Sequence, residues 1–423
     1  MQFISNQNDQ KILHFNVTRK HFFLDRNYCL KYEKQTLIMS SGTDFKKPKY
    51  VLELSPDTEF EWIIRNQQLI GFLFPYQNKM KEFYGDSDDL QKLKKQLGKT
   101  ILFKSLIVHY RFLLDLDQGA FGIVSLQYNY ITNNKFAIKT LTASNKQCQK
   151  QIMNEIMTLR YLDHPNIIKL YEVFKTNQTF SLVTEYIDGK TLKQLSTEVN
   201  QIQDIQILCL LKQLFEGLSF IHKNNIIHRD LKPSNLILQK DGLLKIIDFG
   251  LACFDFDQLQ NSLKCGTSGY CAPEILQNLA NKNQYDSKVD VFSAGCVLYK
   301  LQTSRSLFEA ETSKLVLKKN KNCLYHIKQQ GRIFDLIRIL VKPNPLDRPT
   351  SLQVFQLIQK MIEDDTFDVN TWYRNTFNTN QSIQNLPNNT SNNGNLSNSQ
   401  LKTLSTPNSS IQFFSNPTNK IMK

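Results

Sequence analysis

The chain of 423 residues is 41% hydrophobic and carries a formal net charge of +14, and at about 150 residues per domain its length predicts two or three folded units. The positive charge is spread along the chain instead of being concentrated in one segment, which argues against a nucleic-acid-binding protein and leaves an anionic membrane surface as an alternative partner. The 8 cysteines form no Cys-x-x-Cys pair, which argues against a zinc site. Since neither a signal peptide nor a long apolar run is apparent, we expect a cytoplasmic location.

The N-terminal third reads as a series of short strands that follow a polar, flexible start at residues 1–12. Aromatic and β-branched runs separated by turn-prone residues predict an antiparallel barrel or sandwich over residues 13–104. The first predicted hairpin joins residues 21–25 to 28–32 through a tight turn at Arg26 and Asn27, and further strands are expected at 36–39, 50–54, 60–64, 69–74 and 81–84. A closing helix begins near residue 86, with Ser87 or Asp88 as its cap.

This order of strands and one amphipathic helix resembles a pleckstrin-homology domain. The family usually has a tryptophan in the closing helix, where this chain has Leu93, and its lipid-binding members carry basic residues around the first hairpin loop. Arg19, Lys20 and Arg26 lie nearby here. The resemblance implies a regulatory or targeting module that binds either anionic membrane lipid or a protein partner.

Residues 105–110 are expected to form a linker, and a second pattern begins at residue 111. Gly119 and Gly122 lie in a predicted turn between two strands, and glycines allow backbone N–H groups to approach phosphate oxygens. Lys139 ends an apolar strand, and a predicted helix at residues 149–162 contains Glu155. A buried strand at 180–187 and an amphipathic helix at 204–222 follow.

The segment His-Arg-Asp-Leu-Lys-Pro-Ser-Asn at residues 228–235, followed by Asp-Phe-Gly at 248–250, contains the most specific motifs of the chain. It places two carboxylates, an amide and a lysine in the arrangement that phosphoryl transfer requires. This set resembles the eukaryotic protein kinases. The Lys-Pro-x-Asn form is similar to that of the serine/threonine kinases, which phosphorylate Ser and Thr hydroxyls of proteins.

The resemblance implies an α+β multidomain chain in which residues 111–365 form a bilobal kinase fold, with a β-rich N-lobe and an α-helical C-lobe. In this family Asp230 orients the substrate hydroxyl, Lys232 stabilises the γ-phosphate, and Asn235 and Asp248 bind Mg²⁺. Lys139 contacts the α- and β-phosphates of ATP and pairs with Glu155. The other expected ATP contacts are Gly119, Ala120, Phe121, Gly122, Val124, Ala137, Thr184, Glu185, Ile187 and Ile237.

Two features leave alternatives open. Asp117 stands where the family has the first of three glycines, so a pseudokinase scaffold that binds nucleotide with little transfer is the alternative to an active kinase. Arg229 usually implies a phosphate or an acidic group on the activation loop, here residues 251–271. Phosphorylated Ser262, the carboxylates of Asp255 and Asp257, or simple packing of Arg229 could each satisfy it.

The C-terminal part of the kinase-like region is expected to contain a buried Glu274–Arg348 pair, Asp290 bonded to the catalytic-loop backbone, and Thr267 facing the substrate residue and Asp230. Helices are predicted at 290–302, 333–340 and 351–363, and the lysine-rich run 318–321 is expected to be a solvated surface. Residues 366–423 are rich in Asn and Ser and poor in apolar side chains, which predicts a disordered tail.

Overall fold

The computed structural model describes residues 12–21, 24–119, 122–198, 202–257, 263–277 and 285–372. Most of the predicted flexible start and most of the predicted tail therefore lie outside the described residues. The chain forms two compact units. The first comprises the described residues up to Asp188 together with Asp248–Ala252, and the second comprises Gly189–Ile247 and the described residues from Cys253 onward.

The N-terminal part of the first unit contains seven strands and a helix. They are β1 Leu13–Arg19, β2 Arg26–Glu33, β3 Thr36–Ser40, β4 Tyr50–Glu53, β5 Glu59–Arg65, β6 Gln68–Tyr76, β7 Lys79–Gly85 and α1 Ser87–Leu97. Helix α1 buries Leu90, Leu93 and Leu97, as the spacing predicts. Its cap is Asp86, one residue before the predicted caps, because the Asp86 carboxylate accepts hydrogen bonds from the backbone N–H groups of Asp88 and Asp89.

The predicted first hairpin is wrong. The first strand lies earlier in the chain, and Arg26 and Asn27 belong to β2 instead of forming a turn, with Arg19 opposite Arg26 in the ladder. The physical reason is burial: Phe15 and Val17 alternate into the core, whereas Leu24 is 75% exposed. Leu24 therefore gains little from strand pairing at this place, and Phe22 and Phe23 of the predicted strand lie outside the described residues.

The rest of the first unit continues this sheet. It contains β8 Leu102–Phe103, α2 Leu106–His109, β9 Tyr110–Gly119, β10 Gly122–Asn129, β11 Lys135–Thr142, α3 Lys146–Tyr161, β12 Leu170–Lys175 and β13 Thr179–Glu185. The described strands form one sheet of 13, in the order β4-β3-β2-β1-β7-β6-β5-β8-β12-β13-β11-β10-β9. The N-terminal strands and the strands that precede the catalytic motifs thus share one ladder.

The expected small barrel is not confirmed, because the strands form but do not close into a ring. In the described ladder β4 ends the sheet at one side, and the outer edge of β5 pairs with β8 instead of with β4. Both pairings of β8 are parallel, joining Phe103 to Phe60 of β5 and to Phe174 of β12. The edge that a barrel would have closed is therefore used to join the two halves of the unit.

The second unit is mainly helical. It contains β14 Gly189–Thr191, α4 Leu192–Glu198, α5 Asp204–Lys223, β15 Ile226–Ile227, β16 Leu236–Gln239, β17 Leu244–Ile246, β18 Cys253–Phe254, α6 Pro273–Gln277, α7 Lys288–Thr303, α8 Ser313–Lys321, α9 Arg332–Leu340 and α10 Ser351–Glu363. A β-rich part and a helical part are therefore both present, as the kinase resemblance implies. The described residues continue to 372, beyond the predicted domain end at residue 365, and Val369 is 1% exposed.

Helix α5 is the central helix of the second unit and packs against α7 and α10. Its apolar residues recur at three- and four-residue spacing, and Ile207, Leu211, Leu214 and Leu218 are buried. By length and composition it could cross a membrane, but 50% of that stretch is buried inside the protein. Core helices meet the same criterion, so this is weak evidence for a membrane span.

Candidate active site

The glycine turn lies between β9 and β10 of the first unit, where Gly119 faces Gly122 in the ladder. Gly122 has a φ of +148°, and a Cβ built there would lie 2.2 Å from the carbonyl oxygen of Thr140. Only glycine fits this position, since any side chain would clash with the backbone of β11. Ala120 and Phe121 lie outside the described residues. Asp117 is exposed on β9, opposite Val124 of β10.

Lys139 of β11 lies between two carboxylates of the first unit. Its Nζ is 2.7 Å from Oε1 of Glu155 on α3 and 2.9 Å from Oδ1 of Asp248. Burial acts to lower the pKa of Lys139, but the attraction of Glu155 and then Asp248 outweighs it, so the pKa lies above its usual range. Lys139 is therefore held as a cation by the two acids that the sequence analysis singled out.

The end of β13 carries the residues expected at the adenine ring. Thr184 is 7% exposed and donates a hydrogen bond from its hydroxyl to the carbonyl oxygen of Ala137 at 3.1 Å. The Glu185 carboxylate accepts from the backbone N–H of Lys169 at 2.9 Å, and Ile187 is buried just beyond the strand. In the second unit Ile237 is half-buried on β16.

Asp230 lies at the centre of a hydrogen-bonded cluster in the second unit. One carboxylate oxygen is 2.7 Å from Nζ of Lys232, and the other accepts from the Thr267 hydroxyl at 2.6 Å. Lys232 also donates to Thr267 at 3.0 Å, and the Asn235 amide donates to the Asp230 carbonyl oxygen at 2.9 Å. The structure thus brings together an acid, a lysine and an amide that are close in sequence, and adds Thr267 from a distant segment.

Asp290, at the start of α7, holds the backbone of this cluster in place. Its carboxylate accepts from the backbone N–H groups of His228 and Arg229, each at 2.8 Å, and bonds His222 Nε2 at 3.0 Å. Although burial alone would raise it, these bonds keep the pKa of Asp290 below its usual range. Arg229 adopts a left-handed φ of 65°, a strained conformation that persists only where surrounding contacts enforce it.

The Arg229 side chain is buried, and its guanidinium donates to the Tyr285 hydroxyl at 2.9 Å. Tyr285 in turn donates to the Leu263 carbonyl oxygen at 3.0 Å. Tyr285 was not predicted, because it follows the activation segment and no local pattern connects it to Arg229. Ser262 lies outside the described residues, so the alternatives for Arg229 stay predictions.

Asn320 of α8 is a second residue that sequence reasoning missed. It is fully buried, although the lysine-rich run around it was expected to be solvated. Its amide oxygen accepts from the Gly269 N–H and its amide nitrogen donates to the Cys271 carbonyl oxygen, both at 2.8 Å. Asn320 therefore fixes the backbone that follows Thr267.

The predicted Glu274–Arg348 pair is present in the second unit. Arg348 is fully buried and donates through two nitrogens to the two carboxylate oxygens of Glu274, at 2.5 and 2.9 Å. Removing one partner of such a pair typically costs about 3–5 kcal/mol, because a buried charge is left unpaired. The pair anchors the end of the activation segment to the helical part.

Comparisons with known proteins identify the family of the chain. Residues 110–372, more than half of the chain, match the family described as the protein kinase domain. Sperm motility kinase 3A of Mus musculus is 34% identical over 269 residues, which cover 62% of this chain and 52% of that protein. The serine/threonine-protein kinase cds1 of Schizosaccharomyces pombe is 32% identical over 273 residues, or 60% of this chain and 59% of that protein.

The SNF1-related protein kinase catalytic subunit alpha KIN12 of Arabidopsis thaliana is 32% identical over 259 residues, covering 60% of this chain and 51% of that protein. The chain thus spans about half the length of the curated relatives it matches. The residues before the family match include the whole of β1–β8. From the match over residues 110–372, the chain belongs to the protein kinase domain family.

Proposed function

We propose that this protein is a serine/threonine kinase that transfers the γ-phosphoryl group of MgATP to Ser and Thr hydroxyls of proteins. The observation that carries the proposal is the Asp230 carboxylate, which is already bonded to Lys232 and Thr267 at 2.7 and 2.6 Å. A carboxylate held in this way can accept and orient a hydroxyl nucleophile. The name of the similar serine/threonine-protein kinase cds1 supports the same class, and KIN12 is likewise named a protein kinase catalytic subunit.

In this proposal the second unit supplies the groups that handle the hydroxyl and the moving phosphate. Asp230 orients the substrate hydroxyl and accepts its proton, and Lys232 offsets negative charge on the γ-phosphate. Thr267 lies beside both of these side chains, which suits a residue next to the substrate hydroxyl. Asn235 uses its amide nitrogen to bond Asp230, and its amide oxygen is a ligand type that Mg²⁺ accepts.

The first unit supplies the groups that hold the nucleotide. Lys139, which is positioned by Glu155, contacts the α- and β-phosphates. The Gly119–Gly122 turn covers the phosphates with backbone N–H groups. Asp248 offers carboxylate oxygens, the hard ligands that Mg²⁺ prefers. When bound, Mg²⁺ would neutralise part of the phosphate charge. We assign the adenine ring to Val124 and Ala137, with backbone hinge contacts at Glu185 and Ile187 and with Thr184 at the entrance to the pocket behind the ring. The kinase resemblance adds loop contacts at Ala120 and Phe121, and an apolar contact from Ile237, which belongs to the second unit.

The test is transfer of radiolabelled phosphate from ATP to a generic basic protein by the full chain. Since a positioned general base contributes about 10²–10⁴-fold, we expect Asp230→Asn to lower incorporation at least about a hundredfold while the thermal unfolding midpoint stays near that of the wild type. Equal incorporation by the wild type and Asp230→Asn would falsify the proposal. If MgATP raises the unfolding midpoint but no transfer occurs, the protein is the nucleotide-binding scaffold that Asp117 first suggested.

We further propose that the N-terminal strands recruit this cytoplasmic kinase to anionic membrane lipid. The support is a basic cluster at one end of these strands, which we define as Arg19, Lys20, Arg26, Lys49, Lys79 and Lys81. Desolvation, followed by the positive charges of Arg19, Lys79 and Lys49, lowers the pKa of Lys81. Arg26 lies opposite Arg19 in the ladder, and the Lys20 ammonium lies 4.5 Å from the ring centre of Tyr84 on β7. Neighbouring lysines and arginines each contribute about 1 kcal/mol to binding at an anionic surface.

Co-sedimentation of the full chain with vesicles tests this second proposal. We expect binding to phosphatidylcholine vesicles that contain phosphatidylserine or a phosphoinositide, and none to phosphatidylcholine alone. Lys79→Glu with Lys81→Glu should weaken the binding more than about tenfold. The matched control makes the same charge change at Lys318 and Lys319 of α8, and should bind nearly as well as the wild type. If the control loses as much binding, net charge alone is responsible and the basic cluster is not the site.

A further inference from the structure

The strands that precede the kinase homology extend the sheet of the first unit beyond β12. Phe103 of β8 pairs in parallel with Phe174 of β12 and with Phe60 of β5. Its ring lies 5.7 Å from the ring of Phe174 and 5.7 Å from that of Trp62, and all four residues belong to one buried apolar cluster. The two halves of the unit therefore share a core instead of being joined by a linker alone.

A buried ion pair and a close backbone approach reinforce this junction. Lys94 of α1 pairs with Glu172 of β12, and the two side chains are only 8% and 12% exposed. The other carboxylate oxygen of Glu172 accepts from the Tyr110 hydroxyl at 2.9 Å. At the end of α1, a Cβ added to Gly98 would lie 2.3 Å from the carbonyl oxygen of Tyr171. Helix α1 thus rests directly on the backbone of β12.

Two loop residues next to these N-terminal strands, Pro56 between β4 and β5 and Ile101 just before β8, contact the C-terminal turn of α3. Arg160, in the last turn of α3, donates to the carbonyl oxygen of Ile101 at 2.9 Å and to that of Pro56 at 3.4 Å. Lys99 pairs with Asp163, two residues past the helix, at 2.7 Å. Burial lowers the pKa of the Arg160 guanidinium to about 10, and hydrogen bonds in such a partly desolvated place are expected to be stronger than equivalent contacts in water.

Glu155 lies five residues before Arg160 on α3, about 7.5 Å along the helix axis at 1.5 Å per residue. A rigid helix transmits a shift of its last turn to this position. Glu155 is the carboxylate that lies 2.7 Å from Nζ of Lys139. Its neighbour Asn154 donates to the carbonyl oxygen of Ala252 at 2.6 Å, so the inner face of α3 is bonded to the segment that follows Asp248.

We infer that Arg160 is a positioning residue through which the N-terminal strands hold α3, and thereby keep Glu155 on Lys139. The inference rests on the proposed kinase function, because its consequence is a Lys139 positioned for nucleotide. It assigns the N-terminal strands an activating role that is independent of any lipid they bind. The position of α3 then depends on the N-terminal strands as well as on the kinase-homologous segment.

Steady-state kinetics with a double-mutant cycle test the route from Arg160 to Glu155. We expect Arg160→Ala to lower kcat/KM for ATP about tenfold, equivalent to about 1.4 kcal/mol, and Arg160→Lys to retain part of the activity. In a Glu155→Gln background, Arg160→Ala should cause almost no further loss, because residues that act through one another are not additive. The matched control Arg65→Ala, at the exposed end of β5, should leave kcat/KM for ATP unchanged.

Hydrogen–deuterium exchange of the full chain tests the contact itself without any requirement for activity. Amides of α3 should exchange faster in Arg160→Ala than in the wild type or Arg65→Ala, while amides of α5 and α7 stay unchanged. Gly98→Ala is a second variant that disturbs the same junction. The backbone φ of −54° at Gly98 accepts alanine, but the added Cβ would displace the Tyr171 backbone. It should loosen the same α3 amides even if Arg160→Ala folds poorly.

Two results overturn the inference. One is unchanged α3 exchange in both variants. The other is a full additional loss of kcat/KM when Arg160→Ala is combined with Glu155→Gln, which indicates general destabilisation. If the wild type transfers no phosphate, the proposed function fails, whereas the exchange measurement still decides whether Arg160 and the N-terminal strands hold α3.

Discussion

Asn320 illustrates how a single residue can contradict the pattern around it. Three lysines flank it, at positions 318, 319 and 321, and such a run is ordinarily a solvated helix face. The side chain instead turns inward and satisfies one N–H and one C=O group of the segment at residues 269–271. A buried amide with two partners is specific, because it has the geometry of a donor and an acceptor at once.

Asn320→Ala should therefore cost about 1–3 kcal/mol, since the Gly269 N–H and the Cys271 C=O lose their partners in a buried place. Because the disturbed segment follows Thr267, we expect KM for a protein substrate to rise more than KM for ATP. Thermal unfolding and steady-state kinetics measure the two effects. Asn322→Ala, at the exposed end of the same helix, is the control. Equal unfolding midpoints for the two variants would show that the Asn320 contacts contribute nothing.

At the scale of elements, helices were predicted more accurately than the first strands. The helix expected at 204–222 is α5 Asp204–Lys223, and that at 351–363 is α10 Ser351–Glu363. Their periodic apolar faces and local caps act within a few residues, so the sequence carries that information. Strand β1 was misplaced because its pairing partner, β2, decides which aromatic residues are buried.

Strand β8 marks the limit of this kind of reasoning. It has two residues, Leu102 and Phe103, and its existence depends on β5 and β12, which are distant in the chain. A strand of two residues is too short for its local sequence to distinguish it from a linker. The segment at 105–110 was predicted as a linker, whereas residues 106–109 form the short helix α2 and Tyr110 begins β9.

At the scale of the molecule, His109 lies at the junction between the N-terminal strands and the kinase-homologous strands. It is fully buried, its ring centre is 5.2 Å from that of Phe174, and neither ring nitrogen has a hydrogen-bond partner among the described residues. The nearby charged group is the Lys94 ammonium, which pairs with Glu172, itself bonded to Tyr110. Burial, and then the charge of Lys94, lowers the pKa of His109 well below its usual range.

This arrangement predicts a stability that falls in mild acid. In the unfolded chain His109 takes up a proton below its ordinary pKa of about 6.5, whereas the folded state keeps it neutral. The contribution of His109 to the free energy of unfolding is therefore fully present above about pH 6.5 and is lost as the pH falls further, at up to about 1.4 kcal/mol per pH unit. Thermal unfolding measured from about pH 8 to about pH 5, a range that brackets the ordinary histidine pKa, gives the slope of stability against pH.

His109→Phe should flatten this dependence, since a ring of similar shape without a titratable nitrogen fills the same apolar site. His326→Phe, at an exposed position of the second unit, is the control and should retain the wild-type slope. A His109→Phe protein that loses stability in acid as steeply as the wild type would refute the role of this histidine.

The sequence by itself located the candidate catalytic residues and most of the helices. The acid, lysine and amide of residues 230–235 are neighbours in the chain, so their spacing alone places them together, and the bonds among Asp230, Lys232 and Asn235 are those of a local segment. Short-range geometry of this kind can be read from residue order. The pairing of Lys139 with Glu155 was instead expected from the resemblance to the protein kinases, and the structure places Oε1 of Glu155 2.7 Å from Nζ of Lys139.

Only the tertiary structure decided how the N-terminal strands relate to the strands of the kinase homology. Three contacts join residues that are far apart in sequence. Strand β8 pairs with the edge of β5, Arg160 donates to the backbone at Ile101 and Pro56, and Asn320 is buried against the segment at 269–271. Such contacts depend on which surfaces remain unpaired after the local elements have formed. A single sequence does not record that outcome, because sheet edges and buried polar groups are satisfied by whichever partner the complete fold brings near.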